Sequence, residues 1–154
     1  VAGHLDLAVC VAPPRAVPGV TSVPVLTEDL AVYGPPGHPI GRAAAWGPWV
    51  LYPSGSHTRS IVVAALRKLG APLEVVAESH QPEVLREMVR LGAGWTVLPR
   101  AQAEDGPRPL RDGRPLASRQ LVLAMRASAV RDPAVDLLMQ HLQGGAQQPA
   151  IRSV

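Results

Sequence analysis

Short apolar runs alternate with helical patterns through the middle of the chain. The runs that begin at Trp49, Leu73 and Trp95 predict three short buried strands. Between them, apolar residues recur at spacings of three and four, which predicts helices at about 58–69 and from 79–82 to 92. This strand–helix–strand–helix–strand order favours an α/β fold with a parallel sheet and right-handed crossovers.

Further elements flank this middle part, and most are bounded by Pro or Gly residues. We predict strands at 5–10, 23–33 (interrupted near Glu28) and 119–125, a closing helix at 133–142, a loop at 34–39, a linker at 41–48, mostly loop at 102–118 with room for one short strand, and a disordered tail from Gly144.

Length and composition describe a globular chain of one domain or two small lobes. The 154 residues are 47% hydrophobic and 18% charged. No apolar run reaches the length of a membrane span and no signal-peptide pattern is present, so we expect a cytoplasmic protein without membrane contact. The single cysteine, Cys10, excludes a disulfide within the chain, and its apolar strand predicts a buried, inert thiol.

The charge pattern argues against a nucleic-acid-binding surface. The net charge is +3, and the arginines are spread along the chain without a clustered basic run. With three Trp, two Tyr and no Phe, a platform for base stacking is not expected.

The corner that joins the Trp49 strand to the following helix is the strongest candidate for chemistry. Five of the six residues in 54–59 carry a hydroxyl, a cation or an imidazole, and no Asp or Glu occurs between Leu30 and Leu73. A helix N-terminus presents unpaired N–H groups and partial positive charge, which suits a small anion. Ser56 and Thr58 fit either anion contacts or helix caps. Arg59 fits either a bidentate clamp on a carboxylate or a solvated surface arginine.

Other chemistry receives less support from the sequence. If the sheet is parallel, the turns at 53–57, 78–80 and after Leu98 share the rim formed by the carboxyl ends of the strands. His57 and His80 would then approach each other, but no third metal ligand is apparent, so we expect no metal and no cofactor. No GxSxG, P-loop, HExxH or Gly-rich dinucleotide motif occurs, which disfavours an enzyme.

Six motifs, in this order, carry a resemblance to a known family: GHLDLAV, GPPGHPI, WVLYPSGSHTRSIVVAAL, VAES, VRLGAGWTVLP and RQLVLAMR. Together they resemble the effector-binding domain of a LysR-type transcriptional regulator. The resemblance covers about residues 3–142. It implies a type 2 periplasmic-binding-protein-like fold of two α/β lobes with an effector in the cleft between them.

The resemblance also implies a domain division and partners. Lobe I would be partial and comprise 3–46 and 120–143, lobe II would be 47–119, and 144–154 would be a disordered tail. The first part of lobe I and the winged helix-turn-helix of the family would precede Val1, so the chain looks like an N-terminally truncated piece. Partners would be a small-molecule effector, a second copy in a homodimer or tetramer, and promoter DNA through the absent helix-turn-helix.

The resemblance assigns effector contacts to the turn at 54–59 and to three further positions. The residues are Ser54, Ser56, His57, Thr58, Arg59, Glu78, Ser79 and Thr96. We expect a sensor of a small, anionic metabolite that is not an enzyme. Two alternatives remain: a solute-binding protein of the same fold used in transport, and an enzyme, such as a transferase, with a two-lobed cleft.

Overall fold

The computed structural model describes residues 7–127 and 133–145. None of the helices in these ranges has the length and hydrophobicity that crossing a membrane requires. The elements are β1 (Leu7–Val11), β2 (Val20–Tyr33), β3 (Trp49–Leu51), α1 (His57–Lys68), β4 (Val75–Glu78), α2 (Pro82–Arg90), β5 (Thr96–Pro99), α3 (Arg100–Glu104), β6 (Arg114–Arg126) and α4 (Pro133–Gly145), with a short 3-10 helix at Ala43–Ala45.

The chain divides into two compact units, and the first consists of the described residues of Val1–Thr27 and Gln120–Val154. Strand β6 has β1 and β2 as its neighbours. Strand β1 pairs with it in antiparallel fashion, with Leu7 opposite Met125. The prediction of a buried Cys10 is wrong, because β1 is an edge strand and the described residues leave Cys10 exposed.

The second unit, Glu28–Arg119, holds the predicted parallel strands. Strand β3 pairs in parallel with β4, and Trp49 forms a parallel bridge with Trp95. The prediction that these three segments lie side by side is therefore confirmed. Strand β5 also pairs in antiparallel fashion with β2, where Tyr33 lies opposite Thr96.

Helices α1 and α2 pack onto the strands of this unit through apolar faces. On α1, Val62 and Leu66 are fully buried, and on α2 the same is true of Leu85 and Val89. Burying each such side chain contributes about 1.5–3 kcal/mol. This packing fixes the axis of α1 and therefore the position of its N-terminus.

The three tryptophans gather in the core of the second unit. Trp46 stacks on Trp95 with 6.2 Å between ring centroids and meets Trp49 edge-on at 6.4 Å. The guanidinium of Arg114 lies 5.2 Å from the Trp46 ring centroid. Trp46 is only 2% exposed, so the segment predicted as a linker at 41–48 contributes this one side chain to the core.

Some boundaries differ from those predicted. Residues 28–46 belong to the second unit, where Leu30 to Tyr33 are buried and pair with β5. Strand β2 runs unbroken through Glu28. Helix α3 and the start of β6 at Arg114 replace part of a predicted loop. Helix α4 includes Gly144 and Gly145, and residues 146–154 of the predicted tail lie outside the described residues.

Candidate functional site

A tight turn leads from β3 into α1. The Ser56 N–H donates to the Pro53 carbonyl at 3.2 Å, and Gly55 adopts a φ of +91°, a backbone conformation that favours glycine. Ser56 is the N-cap of α1, and its Oγ accepts from the Arg59 N–H at 3.4 Å. The capping interpretation of Ser56 is therefore confirmed. The first turn of α1 contains no acidic residue.

Arg59 is held by partners within the protein. Its Nη1 donates to the Tyr52 carbonyl at 2.7 Å and to Glu78 Oε1 at 3.4 Å. The Arg59 side chain is only 14% exposed, and Glu78 is 38% exposed. The Arg59–Glu78 pair brings the turn before α1 next to the end of β4, as the predicted rim requires. Glu78 also offsets the positive charge of Arg59, which the sequence analysis considered as a clamp for a ligand carboxylate.

Thr58 forms the least expected contact of the corner. Thr58 is 3% exposed, and its Oγ1 accepts a hydrogen bond from Nη1 of Arg119 at 2.8 Å. The Nε of the same arginine donates to Glu28 Oε2 at 2.7 Å. The side chains of Arg119 and Glu28 are 10% and 12% exposed. A hydroxyl, a guanidinium and a carboxylate from α1, β6 and β2 thus form one buried polar cluster.

Tyr52 lies close to this cluster. Burial raises the pKa of its hydroxyl, and the positive charge of Arg119 offsets part of this shift. The Tyr52 hydroxyl is closed to solvent, and its interaction with Arg119 ties it to the cluster.

The other predicted contact residues have different environments. Ser54 and His57 are exposed at the turn before α1, and His80 is exposed in the segment between β4 and α2. Ser79 accepts from the Gln81 N–H at 3.1 Å and so orders the turn before α2. Thr96 is fully buried and donates to the Val50 carbonyl at 2.7 Å, which is a role in the core.

Metal binding finds no support in the described residues. They contain no group of three or more His, Cys, Asp or Glu side chains that could hold a metal ion.

Sequence reasoning missed Glu28, Arg119 and Tyr52. Glu28 and Arg119 are separated by 91 positions, and no local pattern joins them. A weak signal was available for Glu28 and Arg119, since each is a charged residue in a segment predicted as a strand, 23–33 and 119–125. Such residues are seldom buried without a partner.

A family model identifies the family of the chain. A family model described as the LysR substrate binding domain matches residues 1–147. The chain is also similar to the uncharacterized HTH-type transcriptional regulator YeiE of Escherichia coli K12, with 33% identity over 92 residues. That match covers 56% of this chain and 31% of the relative, so the chain spans only about a third of the relative.

Solved structures share the fold. The CcmR regulatory domain of Synechocystis PCC6803, solved in complex with 2-PG, superposes with a TM-score of 0.73 at 20% identity, over 94% of this chain and 74% of that one. The effector binding domain of QuiR, solved with shikimate, gives a TM-score of 0.70 at 16% identity, over 92% and 71%.

These matches confirm the resemblance read from the sequence. They also confirm the α/β, type 2 periplasmic-binding-protein-like fold class. They do not favour the transport alternative, and the family is a domain of transcriptional regulators, not a class of enzymes. The chain belongs to the LysR substrate-binding domain family.

Proposed function

We propose that the chain is the effector-sensing domain of a LysR-type transcriptional regulator and binds a small organic anion at the N-terminus of α1. One observation carries the proposal: Thr58 presents a buried hydroxyl, held by Arg119, in a helical first turn that lacks acidic residues. The N–H groups of such a turn favour negative charge.

The neighbours with bound ligands support this class of ligand. CcmR was solved with 2-PG and QuiR with shikimate. In this chain, Ser54, Ser56 and His57 would border the ligand at the surface, with Thr58 beneath it. Arg59, Glu78 and Ser79 would shape the site, since each already has a partner within the protein. Thr96 is not part of the proposed site, because its hydroxyl already donates to the Val50 carbonyl in the core.

Sensing requires that the ligand binds one arrangement of the protein better than another. The ligand can shift the equilibrium only by this difference in affinity. We propose that the parent protein is a cytoplasmic homodimer or tetramer that contacts promoter DNA through a winged helix-turn-helix outside this chain. The parent protein would then transmit the change in this equilibrium, caused by effector binding, to its DNA-binding part.

Isothermal titration of the 154-residue chain against a panel of organic acids that includes shikimate tests the proposal. We expect the Ser56→Ala/Thr58→Ala double variant to bind the acid that binds best at least about tenfold more weakly, which corresponds to about one charge-assisted hydrogen bond. Ser60→Ala changes an exposed hydroxyl on the same helix and is the matched control. Unchanged affinity in the double variant, or no binding of any acid, would contradict the proposal.

A further inference from the structure

We propose that a cavity between the loop after β2 and the segment before β6 is a second ligand site, which takes a small monocarboxylate with an apolar ring. The loop comprises 34–40, the segment comprises 109–112, and Arg90 of α2 completes the wall. All of these residues belong to the second unit, and none of them lies in the turn at 53–57 or in α1. The inference therefore does not rest on the proposed function.

The cavity has the size and the apolar lining of a small-molecule site. Its volume is about 540 Å³. Sites for small molecules in proteins span roughly 300–1,000 Å³. The apolar lining consists of Pro35, Pro36, Pro39, Ile40, Pro109 and Leu110. Since proline rings carry no polar side-chain atom, this lining favours a ligand that buries an apolar ring.

Both walls of the cavity are held in place by hydrogen bonds within the protein. The His38 N–H donates to the Pro35 carbonyl at 3.1 Å, and Gly37 has a φ of +80°, which is the pattern of a type II turn. In the opposite wall, the Leu110 N–H donates to the Ala103 carbonyl at 2.8 Å. A preformed site loses less conformational entropy when a ligand binds.

Two glycines at the ends of these walls pack directly on aromatic rings. A Cβ at Gly34 would lie 2.9 Å from the Trp95 ring. A Cβ at Gly113, the neighbour of the lining residue Asp112, would lie 2.5 Å from the Tyr33 ring. Neither position has room for a side chain, so the walls are fixed to the core. Trp95 is therefore a natural fluorescent reporter of occupancy.

Arg111 supplies a cation for the ligand. Its side chain is exposed and forms no hydrogen bond or ion pair with the described residues. Its charge acts on Glu104, but that carboxylate already binds Arg100 at 3.1 Å and the Tyr33 hydroxyl at 2.9 Å. The Arg111 guanidinium can thus offer two parallel N–H bonds to a ligand carboxylate.

The charges around the cavity favour one negative charge on the ligand. Arg90 Nη1 lies 3.0 Å from Glu87 Oε2, and Arg108 Nη1 lies 3.7 Å from the same oxygen. Arg111 and Asp112 line the cavity with opposite charges. Three cations therefore face two anions, and one net positive charge suits a monocarboxylate better than a dianion.

Phenylacetate is the probe for this site, with acetate and phenylacetamide as its matched controls. Acetate lacks the ring, and phenylacetamide lacks the charge. Each is titrated into the 15N-labelled 154-residue chain at neutral pH and constant ionic strength, because screening alone alters exposed charges. We expect phenylacetate to shift the amides of Gly37, His38 and 110–113 and to change the tryptophan emission. It should bind at least about tenfold more tightly than either control.

Two variants test the charges of the cavity. Arg111→Gln should weaken phenylacetate at least about fivefold and leave phenylacetamide unchanged. Asp112→Asn should strengthen phenylacetate about twofold, and asparagine tolerates the φ of +57° at this position. Arg67→Gln is the matched control and should change nothing. Arg67 is exposed on α1, does not line the cavity, and forms no hydrogen bond or ion pair with the described residues.

The inference is overturned if phenylacetate binds no better than acetate or phenylacetamide, or if Arg111→Gln weakens it no more than Arg67→Gln does. Shifts confined to 56–60 would also overturn it, and they would place the acid at the α1 corner in support of the proposed function. Shifts at the cavity, with unchanged affinity in the Ser56→Ala/Thr58→Ala double variant, would support the inference even if the proposed function fails.

Discussion

Helices α1 and α2 begin in the same unit, after two strands that pair in parallel, but their first turns have opposite chemistry. Helix α1 has a side-chain cap from Ser56 and no acidic residue in its first turn. Helix α2 begins with Pro82, has no side-chain cap, and carries Glu83 in its first turn. The partial positive charge of α2 is therefore offset from within, whereas that of α1 is left for another group.

The ion pairs near the two helices differ in the same way. Glu28 and Arg119, beside α1, are 12% and 10% exposed, whereas Glu87 and Arg90, on α2, are 35% and 34% exposed. Removing one partner of a buried ion pair strongly destabilises the protein, whereas an exposed ion pair contributes little to its stability. Loss of the ion pair beside α1 should therefore lower the stability of the protein far more than loss of the ion pair on α2.

The largest expected effect is that of Glu28→Ala. It leaves Arg119 nearly buried without its carboxylate, so we expect the free energy of unfolding to fall by about 3 kcal/mol. Urea denaturation measures this change. The matched variant on α2 is Glu87→Ala, which should lower the free energy of unfolding by less than about 1 kcal/mol. Equal losses would show that the α1 corner is not distinctive in this respect.

Removing the caps should give an intermediate effect. Ser56→Ala deletes the oxygen that accepts from the Arg59 N–H, so we expect a loss of about 1 kcal/mol in the free energy of unfolding. Gln81→Ala, at the N-cap of α2, should change it by less than about 0.5 kcal/mol, since its side chain caps nothing. Thermal denaturation of both variants makes the comparison, and a larger loss from Gln81→Ala would contradict it.

The smallest effect comes from exchanging the charges of the first turns. His57→Glu places a carboxylate at the start of α1 and should raise the free energy of unfolding by about 0.5 kcal/mol at low salt, while Glu83→Gln should lower it by a similar amount. His57→Glu should also weaken binding of the organic acid that binds best, because the new carboxylate competes for the same N–H groups. Urea denaturation at low and high salt measures the stability changes, and isothermal titration with this acid measures its affinity. Tighter binding of the acid would contradict the proposed role of the first turn of α1.

Much of the fold could be predicted because its signals are local. The three parallel segments of the second unit are recognisable as apolar runs in the sequence. Each helix between them is followed, directly after its C-cap residue, by a glycine with positive φ, Gly70 or Gly92. Helix α3 was missed because its five residues are too short for a helical period to appear. The segment at 41–48 looked like a linker because the burial of Trp46 depends on distant Trp95.

The candidate site was only half predictable. Ser56 and Thr58 could be found because a polar turn before a helix is a pattern in consecutive residues. Their partner Arg119 could not, because the bond to Thr58 spans 61 positions and exists only after β6 and α1 have packed. Packing also explains why Arg59 looked free to bind a ligand carboxylate in the sequence. Its partner Glu78 lies at the end of another strand, so the ion pair between them has no local sequence signal.

The tryptophan cluster makes the second unit optically distinct. All three tryptophans and both tyrosines of the chain lie between Glu28 and Arg119, and there is no phenylalanine. Intrinsic fluorescence and near-ultraviolet circular dichroism therefore report on this unit alone, and unfolding of the remainder would be silent in both signals. Disagreement between a fluorescence melt and a far-ultraviolet melt would reveal, without any label, that the two units lose their structure in separate steps.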